Sequence, residues 1–377
     1  MKGKQGMVCM GLLLVLSSCH TGKQITASGL QRKDFQTEVN GQHTDLFTLS
    51  NKQGMEVCIT NYGARVVSIL VPDRNGKRED VVCGFSTITE YMEQRQNFGS
   101  TVGRYIGRIL NARFTLDGVE YKLVPNNGKS GHISHGGNPG FADRIWKVEQ
   151  ADTHRACLSY LSPDGENGFP GNLKVTLVYS LGEDDNALDL TYEATTDAPT
   201  VLNLSHHSFF NISGNFTKSV EDQQLWVDAD RFTPYDDKKC VTGEYLPVAG
   251  TPLDFRMPHA IGECIDADHP QLKVVNGYDH TWELNTKGDD TRPAAWVYDP
   301  TSGRKMEIFT TEPGIQIYTG NGLKGKMTGK RGIAYPFRSA VCFETMHFQD
   351  SPNQPGFPST VLRPGEVFRS HTVYKFE

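Results

Sequence analysis

The chain is predicted to be all-β, one large domain of antiparallel sheets packed face to face. Three observations carry that expectation: apolar residues recur with a period of two, turn signals punctuate the runs, and no long stretch holds a helical period. The alternation is clearest in three places. Leu173, Val175, Leu177, Tyr179 and Leu181 interleave with Lys174, Thr176, Val178 and Ser180. Leu188, Leu190, Tyr192 and Ala194 interleave with Asp189, Thr191 and Glu193, and Phe368, Ser370, Thr372, Tyr374 and Phe376 repeat the pattern near the end. Between runs lie Arg74-Asn75-Gly76, Asp117-Gly118, Asn127-Gly128, Pro163-Asp164-Gly165 and Arg363-Pro364-Gly365. Each sets Asn, Asp or Pro directly before glycine, a turn-forming pair. With 38 glycines and 19 prolines in 377 residues, the chain has the punctuation such a fold needs. No internal repeat or interdomain linker divides it, so residues 34–377 are expected to form a single domain.

The first residues belong to a different problem. Lys2 and Lys4 precede an apolar run over residues 8–16, and Leu16-Ser17-Ser18-Cys19 follows. That run is too short to span a bilayer, which takes about 20 residues. Residues 1–18 therefore read as a signal peptide. The Leu-Ser-Ser-Cys ending resembles a bacterial lipobox, which implies lipidation of Cys19 and a polar tether over residues 19–33. The expected location is the periplasmic side of a bacterial envelope, anchored by that lipid alone. The outer membrane is favoured because no Asp follows Cys19. Sequons at Asn203, Asn211 and Asn215 crowd one candidate site phrase, which fits a bacterial exporter better than a glycosylating route. The six remaining cysteines are scattered without metal-ligand or framework spacing. A formal net charge of -6 and the lack of a dense Lys/Arg tract argue against nucleic acid as a partner.

Four islands carry residue types that packing alone would not choose. In Asn97-Phe98-Gly99-Ser100-Thr101-Val102-Gly103-Arg104-Tyr105-Ile106-Gly107-Arg108, the two arginines stand four apart, a spacing that on a strand aims both at one cleft. Ser134-His135-Gly136-Gly137 sets an imidazole beside two glycines, where backbone can approach a ligand. In Asn203-Leu204-Ser205-His206-His207-Ser208-Phe209-Phe210-Asn211 an extended segment sends His206 and His207 to opposite faces. Asp279, beside His280, and Glu344, which follows Ala340-Val341-Cys342-Phe343, are the carboxylates singled out. A carboxylate at the end of an apolar run pays to be desolvated, so its pKa should rise; an ion pair with arginine is the structural alternative. The four histidines His135, His206, His207 and His280 show no H-x-H or H-x-x-x-H pairing, and no metal is expected.

Taken in order, these islands resemble the aldose 1-epimerase (galactose mutarotase) family over about residues 35–377. The resemblance implies a β-supersandwich of large twisted antiparallel sheets and a cofactor-free interconversion of the α and β anomers of free hexoses. It implies that Glu344 is the general base and His207 the general acid on the ring oxygen. It further implies that Arg108, His135, Asp279 and Gln316 bind the sugar, the last in Gly314-Ile315-Gln316-Ile317-Tyr318. Two departures stand out: Gly107 precedes Arg108 where the family often has Asn, and His206 precedes His207 where it also has Asn. Each removes an amide that could touch the sugar, which bears on substrate preference more than on chemistry. Two other classes stay open on sequence: a catalytically silent sugar-binding protein, and a glycoside hydrolase using Asp279 and Glu344. A small sugar is the expected partner, with the protein a monomer or weak dimer.

Overall fold

The computed structural model describes residues 24–377. The expected signal peptide and Cys19 lie outside the described residues. Among the described residues three large antiparallel sheets build the molecule, with five two-stranded pairs around them. The largest has nine strands in the order Lys147–Ala151, Arg155–Ser162, Leu173–Leu181, Ala187–Thr196, Phe368–Phe376, Lys305–Thr310, Ala295–Tyr298, Gln224–Val227 and His259–Ala260. A six-stranded sheet runs Phe209–Phe210, Val341–Met346, Gly314–Tyr318, Asp279–Glu283, Arg231–Thr233 and Leu246–Pro247. The third has Leu46–Ser50, Glu56–Thr60, Arg65–Pro72 and Arg78–Asp80. The all-β expectation holds, with Ile88–Gln94 and Pro270–Val275 the two α-helices among the described residues.

The period of two does the work expected of it. Along Leu173–Leu181 the five odd-numbered side chains are buried and Lys174 is exposed. Those side chains meet Ile315, Ile317, Trp282, Val341 and Phe343 of the six-stranded sheet, and Val57, Val66 and Ile69 of the third, in one core. At roughly 1.5–3 kcal/mol for each fully buried large apolar side chain, this core is the main stabilising term. The strand Val341–Met346 differs because every residue in it is buried. Val341 and Phe343 join the core, while Cys342 packs into a second cluster on the reverse face with Phe209, Cys83 and Tyr335. Glu344 and Met346 follow Cys342 on that reverse face.

One boundary needs correction. The tether does not extend to residue 33, because the chain is docked from Gln24 onward. Ile25 bridges Gln31, Leu30 is buried, and the Ala27 amide donates to Glu56 Oε1 at 2.7 Å. Arg32 Nε donates to Asp45 Oδ1 at 2.8 Å. Thr26 and Leu30 are the buried residues of this segment, and Gln24, Ile25, Ala27, Gly29, Gln31 and Lys33 stay exposed. Among the described residues all six cysteines are free, and no helix is long and apolar enough to cross a membrane.

Candidate active site

The reverse face of the six-stranded sheet forms the floor of a cavity of about 240 Å³. Strand register lays side chains across it in two rows. Thr281 pairs with Gln316 and Gln316 with Glu344; one step away, Asp279 pairs with Tyr318 and Tyr318 with Cys342. Walls come from the short pairs Ser205–His207 with Ser100–Val102, and Ile133–Ser134 with Arg108–Ile109. Six expected residues, Arg108, His135, His207, Asp279, Gln316 and Glu344, line this one cavity.

His207 Nε2 lies 3.4 Å from Glu344 Oε1, both side chains nearly closed to bulk solvent. Among the described residues the arginine ion pair considered for Glu344 does not form, and its ionic partner is His207. The His207 ring stacks on Phe209 at 5.0 Å and meets the edge of His135 at 5.5 Å, which holds its orientation. Burial, reinforced by the nearby Asp279 charge, pushes the Glu344 carboxyl well above the usual range. Burial also holds the His207 imidazole well below its usual value, with His135 adding to the effect. Burial thus disfavours the charged form of each partner, and at this separation the two groups titrate as a coupled pair.

His135 is tuned toward neutrality as well, at about 4, by burial and then by the Arg108 charge. Its Nδ1 accepts from the Gly107 amide at 3.4 Å, so the ring proton sits on Nε2 and can be donated into the cavity. Gln316 does not point a free amide at the cavity. Its Nε2 donates to Asp279 Oδ1 at 2.7 Å, and its Oε1 accepts from the Thr281 hydroxyl. Gln316 thus aims the Asp279 carboxylate. Burial opposes the charge of Arg108, but the Tyr235 hydroxyl and Asp279 outweigh it and raise its pKa.

A model of the aldose 1-epimerase family matches residues 45–375. The chain belongs to the aldose 1-epimerase family. It is 39% identical over 330 residues to the galactose mutarotase of Sus scrofa, covering 88% of this chain and 93% of that protein. It is 36% identical over 340 residues to the aldose 1-epimerase of Escherichia coli K12, covering 89% and 96%. An aldose epimerase homologue from C. elegans superposes with a TM-score of 0.81 at 31% identity, over 89% of this chain and 99% of that one. Galactose 1-epimerase from Lactobacillus acidophilus gives 0.78 at 28% identity, over 90% and 96%.

Against this aldose 1-epimerase frame, several expectations change. Arg104 does not share the cleft with Arg108. No regular strand joins them, and Gly107, at φ +76°, turns the chain between them. The Arg104 guanidinium is buried instead and donates to Pro170 O at 2.8 Å, Gly171 O at 3.0 Å and Ser162 Oγ at 2.6 Å. His206 does face the opposite way from His207. It lies in the core between Tyr179 and Tyr374, bonded to Ser208 Oγ at 2.6 Å, so the residue at 206 takes no amide away from the sugar. His280 is buried against Phe232 and Tyr235. The glycines after His135 serve chain packing: a Cβ at Gly136 would lie 2.0 Å from Gly103 O.

The donor set best placed for a metal, His207, Cys342 and Glu344, has ligand atoms within 4.8 Å of one another and draws on two strands. No spacing in the sequence pointed to it. Sequence reasoning also missed Tyr235, whose hydroxyl accepts from Gln349 Nε2 at 2.7 Å, and missed Gln349 itself. Both sit in irregular segments whose meeting depends on the whole fold.

Proposed function

We propose that the cavity binds one free hexose of the galactose or glucose class, and that Glu344 and His207 carry the two protons of anomer interconversion. The observation that supports this reading is the 3.4 Å approach of a buried imidazole to a buried carboxylate at the floor of a sugar-sized cavity. Glu344 takes the proton from the anomeric hydroxyl as the bond between C1 and the ring oxygen breaks. The electron pair goes to the ring oxygen, which receives a proton from His207, leaving an aldehyde at C1. Rotation about the C1–C2 bond presents the other carbonyl face. On closure His207 takes its proton back, and Glu344 returns one to the former carbonyl oxygen. Nothing is consumed, and both proton arrangements of the pair are used in each cycle.

Arg108, Asp279 and the His135 Nε2 proton orient the sugar hydroxyls, and Gln316 acts by fixing Asp279. Freshly dissolved α-galactose and α-glucose should equilibrate rapidly in a polarimeter with purified residues 20–377, and His207→Asn should slow both. An unchanged rotation rate with galactose, glucose, xylose and arabinose would end the proposal. Release of nitrophenol from an aryl galactoside would redirect it to glycoside hydrolysis.

The lipobox-like ending further suggests an acylated protein on the periplasmic side of the envelope. Wild type should partition into detergent and Cys19→Ala into the aqueous phase; identical partitioning would remove the anchor.

A further inference from the structure

We propose that Gln349 is a specificity-determining residue of this sugar site, its amide seated in the space that Gly107 leaves open. The assignment rests on reading the cavity as a sugar site. Gly107 lines the cavity immediately before Arg108, with φ +76°. A Cβ built there would lie 2.5 Å from Gln349 Cγ and 3.1 Å from its Cδ. The Gln349 side chain therefore occupies the volume that a larger residue at 107 would fill. It arrives from the loop beyond the strand Val341–Met346, five positions after Glu344 in the chain.

The amide is placed to bind. Its Oε1 accepts from the Arg108 backbone amide at 3.2 Å. Its Nε2 donates to Tyr235 Oη at 2.7 Å and, more weakly, to Gln316 Oε1 at 3.4 Å. Both donor protons are engaged, but a carbonyl oxygen has two lone pairs and only one is used. Gln349 lines the cavity, so the second is available to a sugar hydroxyl on the side held by Arg108 and Asp279. A site built to bond a hydroxyl discriminates against sugars that lack it or hold it in the other configuration. Gly107 and Gln349 thus form a coupled pair in which one residue's absence makes room for the other.

Four variants test this by steady-state mutarotation of galactose and glucose: Gln349→Ala, Gln349→Met, Gly107→Asn and the double variant Gly107→Asn/Gln349→Ala. Met keeps the length and loses the amide, and Asn tolerates left-handed backbone at 107. Both single changes at 349 should raise KM about three- to tenfold, the weight of one hydrogen bond, with kcat within about twofold. The galactose-to-glucose ratio should shift with them. Gly107→Asn alone should be the worst of the set because two side chains claim one space. The double variant should recover KM to within about twofold of wild type, as expected when a neighbouring pair couples. Gln349→Met with wild-type constants would reduce Gln349 to a space filler and overturn the assignment. A double variant no better than Gln349→Ala, or a fall in kcat at constant KM, would overturn it too. If Gly107→Asn fails to fold by thermal melt, the Met and Ala variants decide. A wild-type protein inactive on both sugars would bring down the function instead, and the same variants would then be read through galactose calorimetry.

Discussion

Replacing Glu344 with Gln keeps the side chain's shape and its place 3.4 Å from His207 Nε2, and removes its ability to take and return a proton. A positioned general acid or base contributes about 10²- to 10⁴-fold, which at 1.36 kcal/mol per decade is roughly 3–5 kcal/mol of barrier. The kcat for mutarotation should fall by that factor. KM should stay within about twofold, since Arg108, His135 and Asp279 are untouched. Polarimetry on α-galactose gives both constants after subtraction of the buffer rate.

The same substitution should raise the melting temperature at pH 7. Burial lifts the Glu344 carboxyl well above its usual range, so in the unfolded chain it ionises at lower pH than in the folded one. Between those two values the folded state binds more protons than the unfolded state, and stability declines as pH rises. The contribution is fully present below the unfolded value and is lost as pH climbs through the folded one. Gln carries no such cost, so the variant is slower and more stable, and the stability difference shrinks in acid. Wild-type turnover in Glu344→Gln would refute its role as base. A slow variant that melts lower than wild type at pH 7 would refute the burial argument.

Other outcomes follow from the same geometry. The rate should be flat through neutrality, because burial resists a second proton on His207 and, with Asp279, resists loss of the last proton from Glu344. Its acid limb should lie below the ordinary histidine range, and Asp279→Asn should move the alkaline limb to lower pH by removing a charge that opposes Glu344 ionisation. Arg104→Ala should cost about 3–5 kcal/mol in denaturant unfolding, since it strips a buried charged hydrogen-bonding group. Arg108→Ala should raise KM and also lower stability, since it leaves the buried Asp279 carboxylate without its opposing charge. Dialysis against EDTA should leave turnover unchanged, because no proposed step needs an ion; a metal-restorable loss would implicate His207, Cys342 and Glu344 as ligands.

What could be read in advance depended on whether a residue's environment was local. Leu173–Leu181 announced itself because one face meets the core and the other meets solvent, so polarity alternates in the string. Glu344 was legible for the opposite reason: its strand is buried on both faces, alternation is invisible, and one carboxylate stands out against it. His206 and His207 separated as an extended segment requires. Arg104 and Arg108 do not share a face as their spacing suggested, because spacing implies a shared face only on a continuous strand, and Gly107 turns the chain between them.

Tyr235 and Gln349 gave no sign at all. Each is an ordinary polar residue in a loop, and only the fold brings Tyr235 within 2.7 Å of an amide 114 positions away. The departure at Gly107 was visible, yet its meaning was not. A missing side chain reads as a lost contact until the side chain that fills its space is known. A substitution beside a binding residue is thus better judged by which distant atom moves into the vacated volume than by the chemistry deleted. That is why Gly107→Asn and Gln349→Ala should each impair the enzyme alone and compensate together.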